Sequence, residues 1–176
     1  MGTRLNAWCL FQVLLLGLGI SATAAVAEVS VNIQSLPTLA APVEGAFVGS
    51  DGEVLIVAGG ESEEGLSAHV SVLAADGARW QTSRLEVPIA HGVTATTADG
   101  MICLGGVDRS GPTTRVMRLR WDGAALLQEP LPELPTPRLE AAAAVLDGIL
   151  YVTGGRPAVD ARPDGALLAL DLSAPE

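Results

Sequence analysis

Eight charged residues crowd the three segments that follow a Gly-Gly pair. They are Glu61, Glu63 and Glu64 after Gly59-Gly60, Asp108 and Arg109 after Gly105-Gly106, and Arg156, Asp160 and Arg162 after Gly154-Gly155. An arginine fork matches the two oxygens of a carboxylate. A carboxylate side chain can take and return a proton. Arg156 or Arg109, with Asp108 or Glu61, would supply both groups to a carboxylated ligand. The competing reading is that these are solvated charges on exposed loops. Arg156 is the preferred carboxylate contact, because it follows Gly154-Gly155 directly and Pro157 pushes it toward an extended conformation.

Other chemistry is sparse. His69 and His91 stand 22 residues apart with no nearby Cys or paired Asp, so no metal site is expected. No P-loop, dinucleotide fingerprint or nucleophile elbow occurs, and no cofactor is expected. The formal charge is -10 and all ten basic residues are arginine, without a basic run. That balance argues against nucleic acid or an anionic membrane surface as partner.

The loops are positioned by a repeat. "DGEVLIVAGG", "DGMICLGG" and "DGILYVTGG" share one shape, and their Asp-Gly pairs start at 51, 99 and 147. A period this regular decides the architecture. Each unit reads as antiparallel strands: "GAFVGS", "EVLIVAGG", "HVSVLAADG" and "ARWQTSRLE" in the first, and four equivalents between Gly92 and Leu131 in the second. The third offers "EAAAAVLDG", "ILYVTGG" and "GALLALDLS", with its fourth strand missing. Asp-Gly between β-rich runs is a hairpin signal, since both residues tolerate positive φ. Val57, Cys103 and Val152 each stand two residues before a Gly-Gly pair, which marks Cys103 as a small core residue.

Small sheets of this size cannot bury both faces alone, and stack radially as the blades of a propeller. The expected fold is therefore all-β: a partial kelch-type β-propeller of about three four-stranded antiparallel blades, the last incomplete. Units run about 43–87, 88–136 and 137–176, and residues 29–34 read as a closing outer strand whose partner blade is not in the sequence. Trp80 and Tyr151 fit the kelch aromatic positions and are expected to pack between blades, with Ile56 and Ile102 replacing the tyrosine in the other units. Three blades do not close a ring, so a truncated or fragmentary chain is expected, with open blade edges that invite self-association.

Residues 1–27 read as a secretory signal peptide. Arg4 precedes the apolar run "AWCLFQVLLLGLGI", and Ala25-Val26-Ala27 fits a cleavage site. A periplasmic or secreted location follows, with no stable membrane span after cleavage. Residues 28–176 retain one cysteine, Cys103, which excludes an intramolecular disulfide.

The segments "LPTLAAPVEGAFVG", "VLIVAGG", "DGMICLGGVD", "MRLRWDGAALLQEPLPELPTP" and "LYVTGG" resemble the sialic-acid mutarotase group, the N-acetylneuraminate epimerase-like propellers. A similar propeller also precedes some sodium/solute symporters. The resemblance implies a carboxylated sugar as ligand, and opening its ring at the anomeric carbon needs a general acid and a base. The acid and arginine proposed for that group lie in a Gly-Glu…Arg-Thr stretch that does not occur here, so no catalytic residue carries over. The chain alone is expected to be inactive. The alternatives are a non-catalytic carbohydrate- or protein-binding module, or the N-terminal extracytoplasmic part of a sodium/solute symporter.

Overall fold

The computed structural model describes residues 31–74 and 77–173; the segment read as a signal peptide lies outside them. The described chain is all β, and none of its helices could cross a membrane, since it has none. In chain order the strands are β1 (Phe47–Ser50), β2 (Val54–Ala58), β3 (Glu61–Ser62), β4 (Gly65–Leu66), β5 (His69–Ala74) and β6 (Trp80–Arg84). They continue as β7 (Val93–Thr97), β8 (Gly100–Leu104), β9 (Val107–Asp108), β10 (Gly111–Pro112), β11 (Val116–Trp121) and β12 (Leu126–Leu131). The last three are β13 (Ala142–Leu146), β14 (Ile149–Thr153) and β15 (Leu167–Asp171).

These make three propeller-like blades. The first two are antiparallel sheets ordered β1-β2-β5-β6 and β7-β8-β11-β12, and the third is β13-β14-β15. No fourth strand of the third blade lies among the described residues. The segments after the first two Gly-Gly pairs are not open loops but two-residue hairpins, β3-β4 and β9-β10, with tips at Glu63-Glu64 and Arg109-Ser110. Residues 31–34 are in no strand; the rest of the expected closing strand, residues 29–30, lies outside the described residues.

The Asp-Gly signal closes three hairpins in three ways. Asp147-Gly148 is a tight loop with both φ values positive, 51° and 77°. In the second unit Thr97 pairs with Gly100, so Ala98-Asp99 form the loop and only Gly100 has positive φ. In the first, Ser50 pairs with Leu55, and Asp51 accepts from the backbone N–H of Val54 at 3.1 Å. Its other oxygen accepts from Trp121 N–H at 2.8 Å, which ties the first blade to the second.

Burial follows the alternation along β8. Met101 and Cys103 face a cluster with Phe47, Ile56, Val70 and Val72 of the first blade, while Ile102 and Leu104 face Leu150 and Val152 of the third. The middle blade is covered on both sides, which is why β8 is apolar at nearly every position. Cys103 is a buried free cysteine, as its repeat position indicated. Burial pushes its thiol pKa far up, because the apolar surroundings disfavour thiolate.

The Gly-Gly pair is the joint between blades. Gly59 and Gly105 donate to their own third strand, at His69 O and Arg115 O. Gly60 and Gly106 donate to the next blade, at Ile89 O and Arg138 O. A Cβ on Gly59 would stand 2.2 Å from Ile89 O, and one on Gly105 2.2 Å from Arg138 O. At Gly154 a Cβ would meet nothing within 4 Å, since no blade follows among the described residues.

Trp80 is on the outer strand and half-buried, its indole N–H donating to Pro37 O at 2.7 Å. Tyr151 occupies the position at which Ile56 and Ile102 are fully buried by the following blade, and it remains half-exposed. Its face of the third blade is apolar and open: Leu146 is 62% and Leu167 65% exposed.

Candidate functional site

Each blade is entered through one residue with positive φ: Gly45 (60°), His91 (60°) and Glu140 (53°). These three are spaced by 46 and 49 residues, the same steps that separate the Gly-Gly pairs. Their backbones are linked in series, His91 N–H donating to Gly45 O at 2.8 Å and Glu140 N–H to His91 O at 2.9 Å. The residue before each is bridged to the residue after a Gly-Gly pair: Glu44 with Glu61, Ala90 with Val107, and Leu139 with Arg156. The inner ends of the blades thus bring Glu44, Glu61, His91, Glu140 and Arg156 to one row of entry positions.

Glu61 and Arg156 are therefore equivalent positions, one in the first blade and one in the third. Glu61 Oε2 lies 3.1 Å from His91 Nε2, a contact that crosses from the first blade to the second. The imidazole rests on Gly45, where a Cβ would come within 2.4 Å of His91 Nδ1. Arg156 Nη2 pairs with Glu140 Oε2 at 2.9 Å, and its buried Nε has no partner. This gives a cation, two carboxylates and an imidazole on the same side of the blades.

Asp108 and Arg109 are placed elsewhere. Asp108 Oδ1 accepts from Ser110 N–H at 2.7 Å, so it caps its own hairpin. Arg109 is exposed at the tip of that hairpin, as Glu63 and Glu64 are at theirs. Asp160 and Arg162 lie in the longer segment between Arg156 and β15, both exposed.

Sequence reasoning treated His91 as a solitary histidine. It is not solitary, because Glu61 reaches it from the preceding blade. The signal was present: His91 falls at the repeat position of Gly45 and Glu140, a site that demands a left-handed backbone.

One arginine was missed altogether. Arg138 is 2% exposed, donates from Nη1 to Gly154 O at 3.1 Å, and pairs through Nη2 with Asp164 Oδ2 at 2.8 Å. Asp164 is held below the usual carboxylate range by the Ala166 N–H that it accepts and by the Arg138 charge. The pair fixes the end of β14 to the segment that carries Arg156.

No protein-family model matches the chain. Among curated proteins it is similar to the N-acetylneuraminate epimerase of Brucella suis (strain ATCC 23445 / NCTC 10510). Identity there is 30% over 122 residues, covering 56% of this chain and 31% of the relative. The N-acetylneuraminate epimerase of Brucella melitensis biotype 1 (strain ATCC 23456 / CCUG 17765 / NCTC 10094 / 16M) is 31% identical over 106 residues, covering 49% of this chain and 27% of the relative. The matched region thus spans less than a third of either relative's length. These matches support a mutarotase-like relationship.

Proposed function

We propose that this chain is a kelch-type propeller segment of a mutarotase-like protein that contributes part of a binding face for a carboxylated sugar. Its carboxylate contact is Arg156, and Glu61, at the equivalent position of the first blade, is the proton-handling group. The observation that carries the reading is the Arg156 guanidinium at the inner end of the third blade, half-buried and paired with the exposed Glu140. The similarity to two N-acetylneuraminate epimerases supplies the ligand class.

On this reading the chain binds without turning over. Sialic-acid ring opening needs an acid and a base on one anomeric centre. Here Glu61 and Arg156 each already have a local partner, Asp108 is spent on its hairpin, and Arg109 points from that hairpin's exposed tip. Further blades belong against the open face of the third, and the protein works in the periplasm or outside the cell.

The test is NMR on freshly dissolved N-acetylneuraminate with the chain added. The reading requires saturation transfer to the sugar and an unchanged anomerisation rate. Faster anomerisation would make this chain a mutarotase in its own right. Absence of both effects would favour a protein-binding module, for which the open apolar face of Leu146, Tyr151 and Leu167 is the supporting feature.

A further inference from the structure

We propose that Glu44, Glu61 and His91 form a binding site for one divalent first-row transition cation of the zinc type. One ligand atom from each lies within 4.8 Å of the others. The closest pair, His91 Nε2 and Glu61 Oε2, is already at 3.1 Å. Zinc–nitrogen and zinc–oxygen bonds of about 2.0–2.2 Å place tetrahedral ligand atoms roughly 3.4 Å apart. Small side-chain rotations bring the third atom in, with no backbone change.

The backbone already holds the ligands in place. Glu44 and Glu61 are joined by two backbone hydrogen bonds, 2.9 Å from Glu44 N–H to Glu61 O and 2.8 Å from Glu61 N–H to Glu44 O. His91 is hung from the next blade, with its own N–H donated to Gly45 O, the residue after Glu44. Gly45 leaves room for the ring, which directs Nε2 to Glu61 and Nδ1 to the glycine.

Charge points the same way. Two carboxylates are gathered here, and among the described residues no arginine pairs with either. A dication neutralises both, while the imidazole selects a borderline metal over calcium or magnesium, which prefer oxygen-only shells. The equivalent bridges of the later blades are Ala90 with Val107 and Leu139 with Arg156, which offer no such ligands. The grouping is therefore particular to the first two blades and not a by-product of the repeat.

Three protein ligands leave a fourth position for water or a ligand oxygen, the arrangement of an open metal site. The ion would also staple the first blade to the second at their inner ends. This inference shares Glu61 with the sugar reading but does not depend on it, since its titration contains no sugar and does not involve Arg156.

The experiment is calorimetric titration of Zn²⁺ into the full chain, freed of metal and of any affinity tag. One site per chain is expected. His91→Asn, Glu61→Gln and Glu44→Gln should each weaken it at least tenfold, while Glu64→Gln, at the tip of the β3-β4 hairpin, should leave it unchanged. Asparagine suits the left-handed backbone at position 91, and Glu61→Gln keeps shape and size, so it decides the matter if the histidine variant misfolds. No stoichiometric binding, or equal binding by Glu61→Gln and wild type, overturns the site.

Discussion

At the scale of single residues, the same chemistry has opposite consequences in different surroundings. Cys103 is sealed between the middle blade and the first, and its thiol pKa is raised by burial. A thiol above its ordinary value stays protonated at neutral pH, and only thiolate reacts. In residues 28–176, which carry no other cysteine, the native protein should therefore resist thiol reagents at pH 8 and react at once in denaturant; a native rate like that of free cysteine would contradict this burial. Arg156 is the reverse case, a half-exposed cation just past a strand end. Arg156→Ala should weaken N-acetylneuraminate binding by about 1.5–3 kcal/mol, the range for hydrogen bonds to a charged group. Folding should be nearly unchanged, because its one ion pair, with exposed Glu140, adds little stability. Equal affinity of variant and wild type by calorimetry would reduce Arg156 to a solvated charge. Asp164 adds a pH dependence. Its folded pKa is depressed, so its contribution to stability is present above the unfolded carboxylate range and is lost as pH falls through the folded value. The melting temperatures of wild type and Asp164→Asn should therefore differ at pH 7 and converge in acid. A gap that stays constant with pH would rule out the Arg138–Asp164 pair as its source.

At the scale of elements, the Gly-Gly pairs separate what a turn needs from what a neighbour imposes. Gly105 and Gly154 have nearly the same backbone, φ 61° and 68°. Alanine in the left-handed conformation costs about 1–2 kcal/mol at either position. At Gly105 the added Cβ also meets Arg138 O at 2.2 Å, and at Gly154 it meets nothing. Gly105→Ala should thus destabilise by clearly more than Gly154→Ala in chemical denaturation, and equal losses would show that the carbonyl contact is not what demands glycine. The strands themselves were legible, because Asp-Gly, an apolar run and Gly-Gly recur at a fixed step, and each quoted run became a strand. The β3-β4 and β9-β10 hairpins were not legible: "ESEEGL" and "VDRSGP" lack apolar alternation, and their first residues are bridged across the sequence to the entry of their own blade, at Glu44 and Ala90. The site was half legible. Glu61 and Arg156 were named from their place after Gly-Gly, and the structure puts them at equivalent bridges. Asp108 looked equally available until its hairpin fold consumed it, and His91 was missed because its partner is 30 residues away.

At the scale of the whole molecule, apolar faces decide what the chain does in solution. The middle blade has both faces covered, whereas the third has one covered by the second and one open. On that open face Tyr151 stands where Ile56 and Ile102 are sealed by the next blade. Exposed apolar patches and open sheets mark association surfaces. On the function proposed above, a further blade covers this face, and the chain alone is left with an adhesive side. Multi-angle light scattering across a concentration series decides this, on residues 28–176 and on their Leu146→Glu, Leu167→Glu variant. Concentration-dependent association of the wild type and a folded monomer for the variant are expected. A wild-type chain that stays monomeric throughout the series would contradict it.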